Sequence, residues 1–289
     1  MNLSVRFGEI AHAILSRWAI TPLPSKTAAG FCYLTIAGRS HWLMLRESIF
    51  SLYRSWKELP SITVVSDGSW SKADFYTAFS WWPGKLEVVL REQIIADAQA
   101  AGERELAQYA EASGWGLKLA SIALLARREP VLFVDADILW FKDPSDLFGP
   151  SDCWGRPRGV RESNCHQRRD MALRFCPQAL QPPFVNGGIL ALRGEFLPPE
   201  ILRAMVREAL ADPEDGTFEQ TIIASAVHMG AGLLPAKVNL VEFDDVDRFR
   251  HRNMKREGYY SRHYVNWMRH LFYRDALKLR LQGLHAAAS

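Results

Sequence analysis

The sequence predicts an α/β fold, a single domain with a mostly parallel central sheet flanked by helices. Three observations carry that expectation. Short apolar and β-branched runs (Phe31–Ile36, Ser61–Val65, Leu86–Leu90) are interleaved with segments of helical period. A later run, Val131–Trp140, is apolar almost throughout, as expected of a strand buried on both faces. The chain has 289 residues, 48% of them hydrophobic and 23% charged, which suits one large globular unit with a substantial core.

Taken in order, Phe7, Ile10, Ala11, Ile14 and Trp18 fall at helical spacing and predict an amphipathic N-terminal helix, followed by a linker at Pro22, Pro24 and Ser25. That helix is read as packing on the domain, joining a dimer or touching a membrane. The first strand ends at Ala37-Gly38. Trp42, Leu45, Ile49, Leu52 and Trp56 mark a helix with one apolar face. Strands over Ser61–Val65 and Leu86–Leu90 follow, then helices over Glu103–Ala112 and Gly116–Arg127, then the strand carrying Asp135 and Asp137. Residues 152–183 read as irregular, basic loops crossing the site. An apolar run with a turn signal inside it covers Phe184–Leu192. Helices are expected over Pro199–Leu210, with Pro at its start, and over Thr217–His228, with Thr217 as cap and Gly230 just past the end. Leu233–Phe243 reads as extended. From Asp247 the chain is basic and aromatic. The expected boundaries are 1–26 for helix and linker, 27–246 for the main domain and 247–289 for a closing C-terminal segment.

Several classes of function are disfavoured. The net charge of +3 is too mild to imply nucleic acid. No apolar run is long enough for a membrane span, and no signal peptide is visible, so the expected location is cytoplasmic, with peripheral contact at the inner face of the membrane left open. There is no Gly-x-Gly-x-x-Gly turn after the first strand and no Walker A loop. Cys32, Cys153, Cys165 and Cys176 read as free thiols; a zinc set from Cys153, Cys165, His166 and Cys176 lacks regular spacing.

The chemistry concentrates at Asp135-Ala136-Asp137. Residues two apart on a strand point the same way, so two carboxylates should share one side at the strand's end. Unpaired they repel each other and are expensive to bury, so they call for a positive partner: a hard divalent cation, or in the plainer alternative a pair of arginine salt bridges or a helix cap. Asn186-Gly187-Gly188 permits close approach by a ligand, or is a hairpin turn or bulge. Glu219-Gln220 opens a helix, where an acidic residue also favours the dipole. His263-Tyr264 leads into Asn266 and Arg269; by itself a lone histidine in a basic segment reads as an ordinary surface residue.

These four markers, in this order, resemble the nucleotide-diphospho-sugar glycosyltransferases of GT-A fold, most sharply the retaining enzymes of glycosyltransferase family 8. The resemblance spans about residues 30 to 270. It implies a metal held by Asp135, Asp137 and His263, with Mn2+ or Mg2+ as cofactor. It also implies a nucleotide-sugar donor, UDP-sugar above all, contacted by Thr35, Ile36, Ala37, Asp67, Lys118, Asp135, Ala136, Asn186 and Gly187. Glu219, Gln220 and Arg269 are the implied catalytic candidates. Glu219 stands where the family has Asp, Asn266 where it has Gly and Arg269 where it has Lys; the family's closing Pro-Trp is missing. The implied reaction is hexosyl transfer to a carbohydrate or lipid-linked acceptor. The alternatives are a non-catalytic nucleotide-sugar or glycan-binding protein on the same fold, and a haloacid-dehalogenase-like phosphatase, whose Asp pair would lie on the first strand.

Overall fold

The computed structural model describes residues 3–148, 154–241, 254–265 and 268–287. In chain order the elements are α1 (Leu3–Arg17), β1 (Ala28–Ala37), α2 (Trp42–Ser55), β2 (Leu59–Ser66), α3 (Lys72–Ala78), β3 (Leu86–Leu90), α4 (Arg91–Ala100), α5 (Arg104–Ala112) and α6 (Gly114–Ala126). Then come β4 (Val131–Val134), β5 (Ile138–Trp140), α7 (Ser145–Phe148), β6 (Arg158–Glu162), α8 (Arg169–Phe175), β7 (Phe184–Leu192), α9 (Pro199–Ala209) and α10 (Gly216–Met229). The chain closes with β8 (Gly232–Leu233), β9 (Asn239–Val241), α11 (Met254–Glu257), β10 (Ser261–His263) and α12 (Arg269–Ala287).

The main sheet has the strand order β3-β2-β1-β4-β7-β6-β8. The first four strands run parallel; β7 is antiparallel to both β4 and β6, and β8 is parallel to β6. Strand alternation sorts the core into two layers. Leu34, Val65, Phe133 and Leu190 face the layer built on α4, α5, α6, α9 and α10. Tyr33, Val64, Leu132 and Ile189 face the layer built on α2 and α3. A small second sheet, β5-β10-β9, joins the middle of the chain to its C-terminal part. There Leu139 packs in a third cluster with Ala11 and Leu15 of α1 and with Leu271 and Phe272 of α12.

The fold class agrees with the expectation, and several local readings are corrected. The run Val131–Trp140 is not one strand. The backbone leaves the main sheet after Val134, turns through Asp135-Ala136-Asp137, and re-enters as β5 in the second sheet. The apolar character continues because both strands are buried, and that hides the break. Residues 152–183 contain β6 and α8, not loops alone. The cap of α10 is Asp215, whose Oδ1 accepts from the Thr217 backbone N–H at 2.9 Å, so Thr217 lies within the first turn. Of the expected extended stretch Leu233–Phe243, Leu233 lies in β8 and Asn239–Val241 in β9, and residues 242–243 lie outside the described residues. Helix α4 was not foreseen; its apolar residues are too few to form a stripe, and Ile94 and Ala98 alone of its residues are fully buried. Among the described residues no helix is long and apolar enough to cross a membrane. Cys153 and Asn266 lie outside the described residues.

Candidate active site

In the main sheet the chain passes from β1 outward to β2 and β3, then returns to β4 on the other side of β1. Crossovers therefore leave in opposite directions between β1 and β4, and ligands collect at the carboxyl ends of strands at such a point. A cleft of about 470 Å³ opens there. Its wall runs from Ile36 on β1, past Asp135 and Asp137, to Asn186 on β7 and Glu162 on β6. Three strand spacings separate β1 from β6 in this order, so the cleft is roughly 14 Å across.

Asp135, Asp137 and His263 meet in the cleft, with ligand atoms within 4.8 Å of one another. The turn between β4 and β5 brings the carboxylates together, held by two backbone bonds: Asp135 N–H to Gly188 O at 2.9 Å and Tyr264 N–H to Asp137 O at 3.0 Å. His263 arrives from β10, which pairs antiparallel with β5. Its Nε2 lies 3.0 Å from Asp137 Oδ1 and 3.7 Å from Asp135 Oδ2. On the other side of the ring, Nδ1 is 3.0 Å from Asn186 Oδ1, which also accepts from the Gly188 backbone N–H at 2.8 Å. An amide oxygen can only accept, so Nδ1 carries a proton and Nε2 faces the carboxylates, donating to Asp137 while the ring is protonated and free to offer its lone pair to a cation once it is neutral. That is how a ligating histidine is commonly oriented. Gly188 makes room for the ring: a Cβ there would lie 2.5 Å from His263 Cε1. The donor set of two carboxylates and one oriented imidazole therefore fits a divalent cation.

A second chain of contacts holds the first aspartate. Lys118 lies on α6, buried from Gly116 to Ala126, and its Nζ is 3.1 Å from Asp135 Oδ1 and 2.9 Å from Glu219 Oε1. Glu219 Oε2 accepts from Gln220 Nε2 at 2.8 Å, and Gln220 Oε1 accepts from the Gly187 backbone N–H at 3.2 Å. Burial works against the Lys118 ammonium, but Asp135 and Glu219 outweigh it and raise its pKa. Burial pushes Glu219 upward against the opposing pull of Lys118. At His263 burial disfavours the charge, yet the Asp137 and Asp135 carboxylates hold its pKa above the ordinary value. Arg269, at the start of α12, adds a guanidinium 3.4 Å from Asp137 Oδ2.

No protein-family model and no curated protein sequence matches this chain. Solved structures do. The chain is similar to the crystal structure of galactosyltransferase LgtC in complex with donor and acceptor sugar analogs, at 13% identity, over 86% of this chain and 95% of that one, with a TM-score of 0.55. It is also similar to the bifunctional glycosyltransferase WbbM, at 13% identity and TM-score 0.55, covering 90% of this chain and 51% of that one. The glycosyltransferase GlyE in Streptococcus pneumoniae TIGR4 matches at 12% identity and TM-score 0.52, over 91% of this chain and 65% of that one. The chain has the GT-A fold.

On this GT-A frame the residues singled out from the sequence separate into groups. Ile36, Asp135, Ala136, Asp137, Asn186, Gln220, His263 and Arg269 line the cleft. Lys118 and Glu219 stand behind the wall: Glu219 has no exposed surface and reaches the cleft only through Lys118 and Gln220. Gly187 is packed against Gln220 Nε2, 3.0 Å from where its Cβ would sit. Thr35 is buried beside Ile36, and the Ala37 carbonyl accepts from the Asp67 N–H at 3.4 Å. Asp67 is correspondingly occupied with its own turn, Oδ1 accepting from Ser69 N–H at 2.9 Å and Ser69 Oγ at 2.6 Å, and it is not part of the cleft wall. Asn186-Gly187-Gly188 forms no hairpin; it lies within β7 at a bulge-like irregularity, where the pairing with β6 jumps from Gly159–Leu190 to Val160–Asn186, as the bulge alternative expected.

Glu162, His41 and Trp115 are among the wall residues that escaped sequence reasoning. Glu162 ends β6, 7% exposed, with Oε2 accepting from Asn186 Nδ2 at 2.7 Å and Oε1 buried without a partner among the described residues. Burial pushes its pKa up to about 6, against the Asn186 hydrogen bond. His41 stands in the turn after β1, its pKa lowered by burial and then by Arg269. Trp115 opens α6. The signal for Glu162 was an acidic residue closing the alternating run Arg158–Glu162, masked by the basic character of its neighbours.

Proposed function

We propose that this protein is a metal-dependent glycosyltransferase, moving a hexosyl group from a nucleotide-diphosphate donor to a carbohydrate or lipid-linked acceptor. The observation that carries the reading is the Asp135–Asp137–His263 cluster at the switch point of the sheet, with the His263 ring turned to offer Nε2. Asp135, Asp137 and His263 would hold the cation, and the imidazole favours Mn2+ over Mg2+. Such a cation supplies Lewis acidity to a diphosphate leaving group. Arg269 stands where it adds positive charge to the same group, and its fork geometry suits phosphate oxygens. The β1 end of the cleft, with Ile36 and His41, takes the nucleoside; Asn186 and Gln220 face the sugar. Lys118, with Glu219 behind it, fixes Asp135 in place. The identity of the donor as a UDP-sugar and the retention of configuration rest on the family resemblance.

Calorimetric titration of UDP and of GDP, each with Mn2+ or with chelator, tests this on wild type and Asp137→Ala. The expected result is UDP binding that requires the metal and is lost in the variant. Preference for GDP would change the donor. Absence of nucleotide binding under every condition would overturn the reading.

A further inference from the structure

Asp275 lies on α12, the helix that begins with Arg269. It is buried and lines no part of the cleft. Its Oδ2 accepts from Tyr264 Oη at 2.9 Å and from Arg262 Nη1 at 3.4 Å. Its Oδ1 accepts from Arg274 Nε at 2.7 Å, and Lys278 Nζ stands 3.7 Å away. Burial works against the charge, but Arg274, then Arg262 and Lys278, outweigh it and hold the carboxyl below the usual carboxylate range. An ionised carboxylate is a stronger acceptor than a neutral group.

Arg262 and Tyr264 are the two chain neighbours of His263. Successive side chains on a strand point to opposite faces, so Arg262 turns away from the face of β10 on which His263 reaches the cleft. One carboxylate oxygen therefore gathers the residues on both sides of a metal-ligand candidate. The Arg262 guanidinium lies over the Tyr264 ring at 5.0 Å, and the Phe272 ring meets it edge-on at 5.4 Å. The backbone N–H of the same tyrosine donates to the Asp137 carbonyl at 3.0 Å. A shift of Tyr264 would reach His263 through the chain and Asp137 through this bond. A buried ion pair is often no more stabilising than apolar packing of the same volume, so stability alone does not account for this charge.

We propose that Asp275 is a positioning residue for the metal centre: through Tyr264 and Arg262 it fixes the backbone that presents His263 and Asp137 to the cation. This rests on the reading that Asp135, Asp137 and His263 hold that cation. The test uses the full-length protein and Mn2+ alone, with affinity read by electron paramagnetic resonance and thermal unfolding measured on the same variants in chelator. Tyr264→Phe removes the hydroxyl and leaves the ring and the ion pairs in place. The expected result is an affinity about tenfold lower, with the unfolding midpoint in chelator lowered by no more than about 4 °C. Asp275→Asn should weaken Mn2+ as well. The double variant should bind no worse than the weaker single variant, because both substitutions break one link. Unchanged Mn2+ affinity in Tyr264→Phe overturns the proposal, whatever the unfolding midpoints and whether or not Asp275→Asn folds. Additive losses in the double variant overturn it too. A wild type that binds no Mn2+ is a different failure: it overturns the metal reading itself, and the proposal with it.

Discussion

Replacing Glu162 with Gln should make the protein more stable above pH 6 and leave it unchanged in acid. Burial raises the Glu162 pKa from the usual 4.5 to about 6, and the Asn186 hydrogen bond only partly offsets it. The native state therefore binds a proton more tightly than the unfolded chain. Stability from this group is fully present below the unfolded value of 4.5 and is lost as pH rises through about 6. The difference corresponds to about 2 kcal/mol, since each tenfold change in proton affinity is worth about 1.36 kcal/mol. Glutamine keeps the shape, can still accept from Asn186 Nδ2 through its amide oxygen, and never ionises. Urea denaturation of wild type and Glu162→Gln, with chelator present and pH stepped across this window, isolates the effect because the other titrating groups are common to both. The two curves should coincide below pH 4.5 and separate to about 2 kcal/mol above pH 6, with the variant the more stable. A gap that is constant with pH, or one that favours wild type at high pH, would refute the argument from burial.

Two further perturbations separate the two arms of the site. Lys118→Met strands the Asp135 and Glu219 carboxylates, and Glu219 has no exposed surface, so a loss of about 3–5 kcal/mol is expected in denaturant unfolding, with part restored by adding Glu219→Gln. Gly188→Ala places a methyl 2.5 Å from the His263 ring and must turn it away from Asn186; Mn2+ affinity, read by electron paramagnetic resonance, should fall about 10- to 100-fold, and unchanged affinity would remove His263 from the ligand set.

The sheet was legible because its strands are buried on both faces, so apolar runs and their spacing mark them with little ambiguity. The same property concealed the break at Asp135-Ala136-Asp137. Phe133 and Leu139 are both fully buried but belong to different sheets, and nothing in their hydrophobicity records the change of partner. The convergence of Asp135 and Asp137 was expected from strand alternation; it arises instead from a turn pinned by Gly188 and Tyr264. Such long-range contacts carry no local signal. Gly188 illustrates this: its neighbours suggest a turn, whereas its reason is the ring of His263, 75 residues later in the chain. Lys118 looked equally at home in solvent, because only the packing of α6 between the sheet and its neighbouring helices decides that the side chain must find carboxylates.

The charges around the cleft argue for a cation independently of the ligand geometry. Four carboxylates, from Asp135, Asp137, Glu162 and Glu219, gather within one connected network, and each residue except Asp135 is at most 8% exposed. Lys118 and Arg269 supply two compensating charges. With His263 neutral, as a ligand role requires, two negative charges stay uncompensated in a low-dielectric setting. A divalent cation at Asp135 and Asp137 removes that excess. Without one, the network must take up protons, and the raised values at His263 and Glu162 are the places where it does so. Binding of the cation should therefore release protons, since both sites are driven toward their deprotonated forms when the charge arrives. The shape of the site and its charge point to the same occupant, although one follows from backbone turns and the other from the count of buried acids.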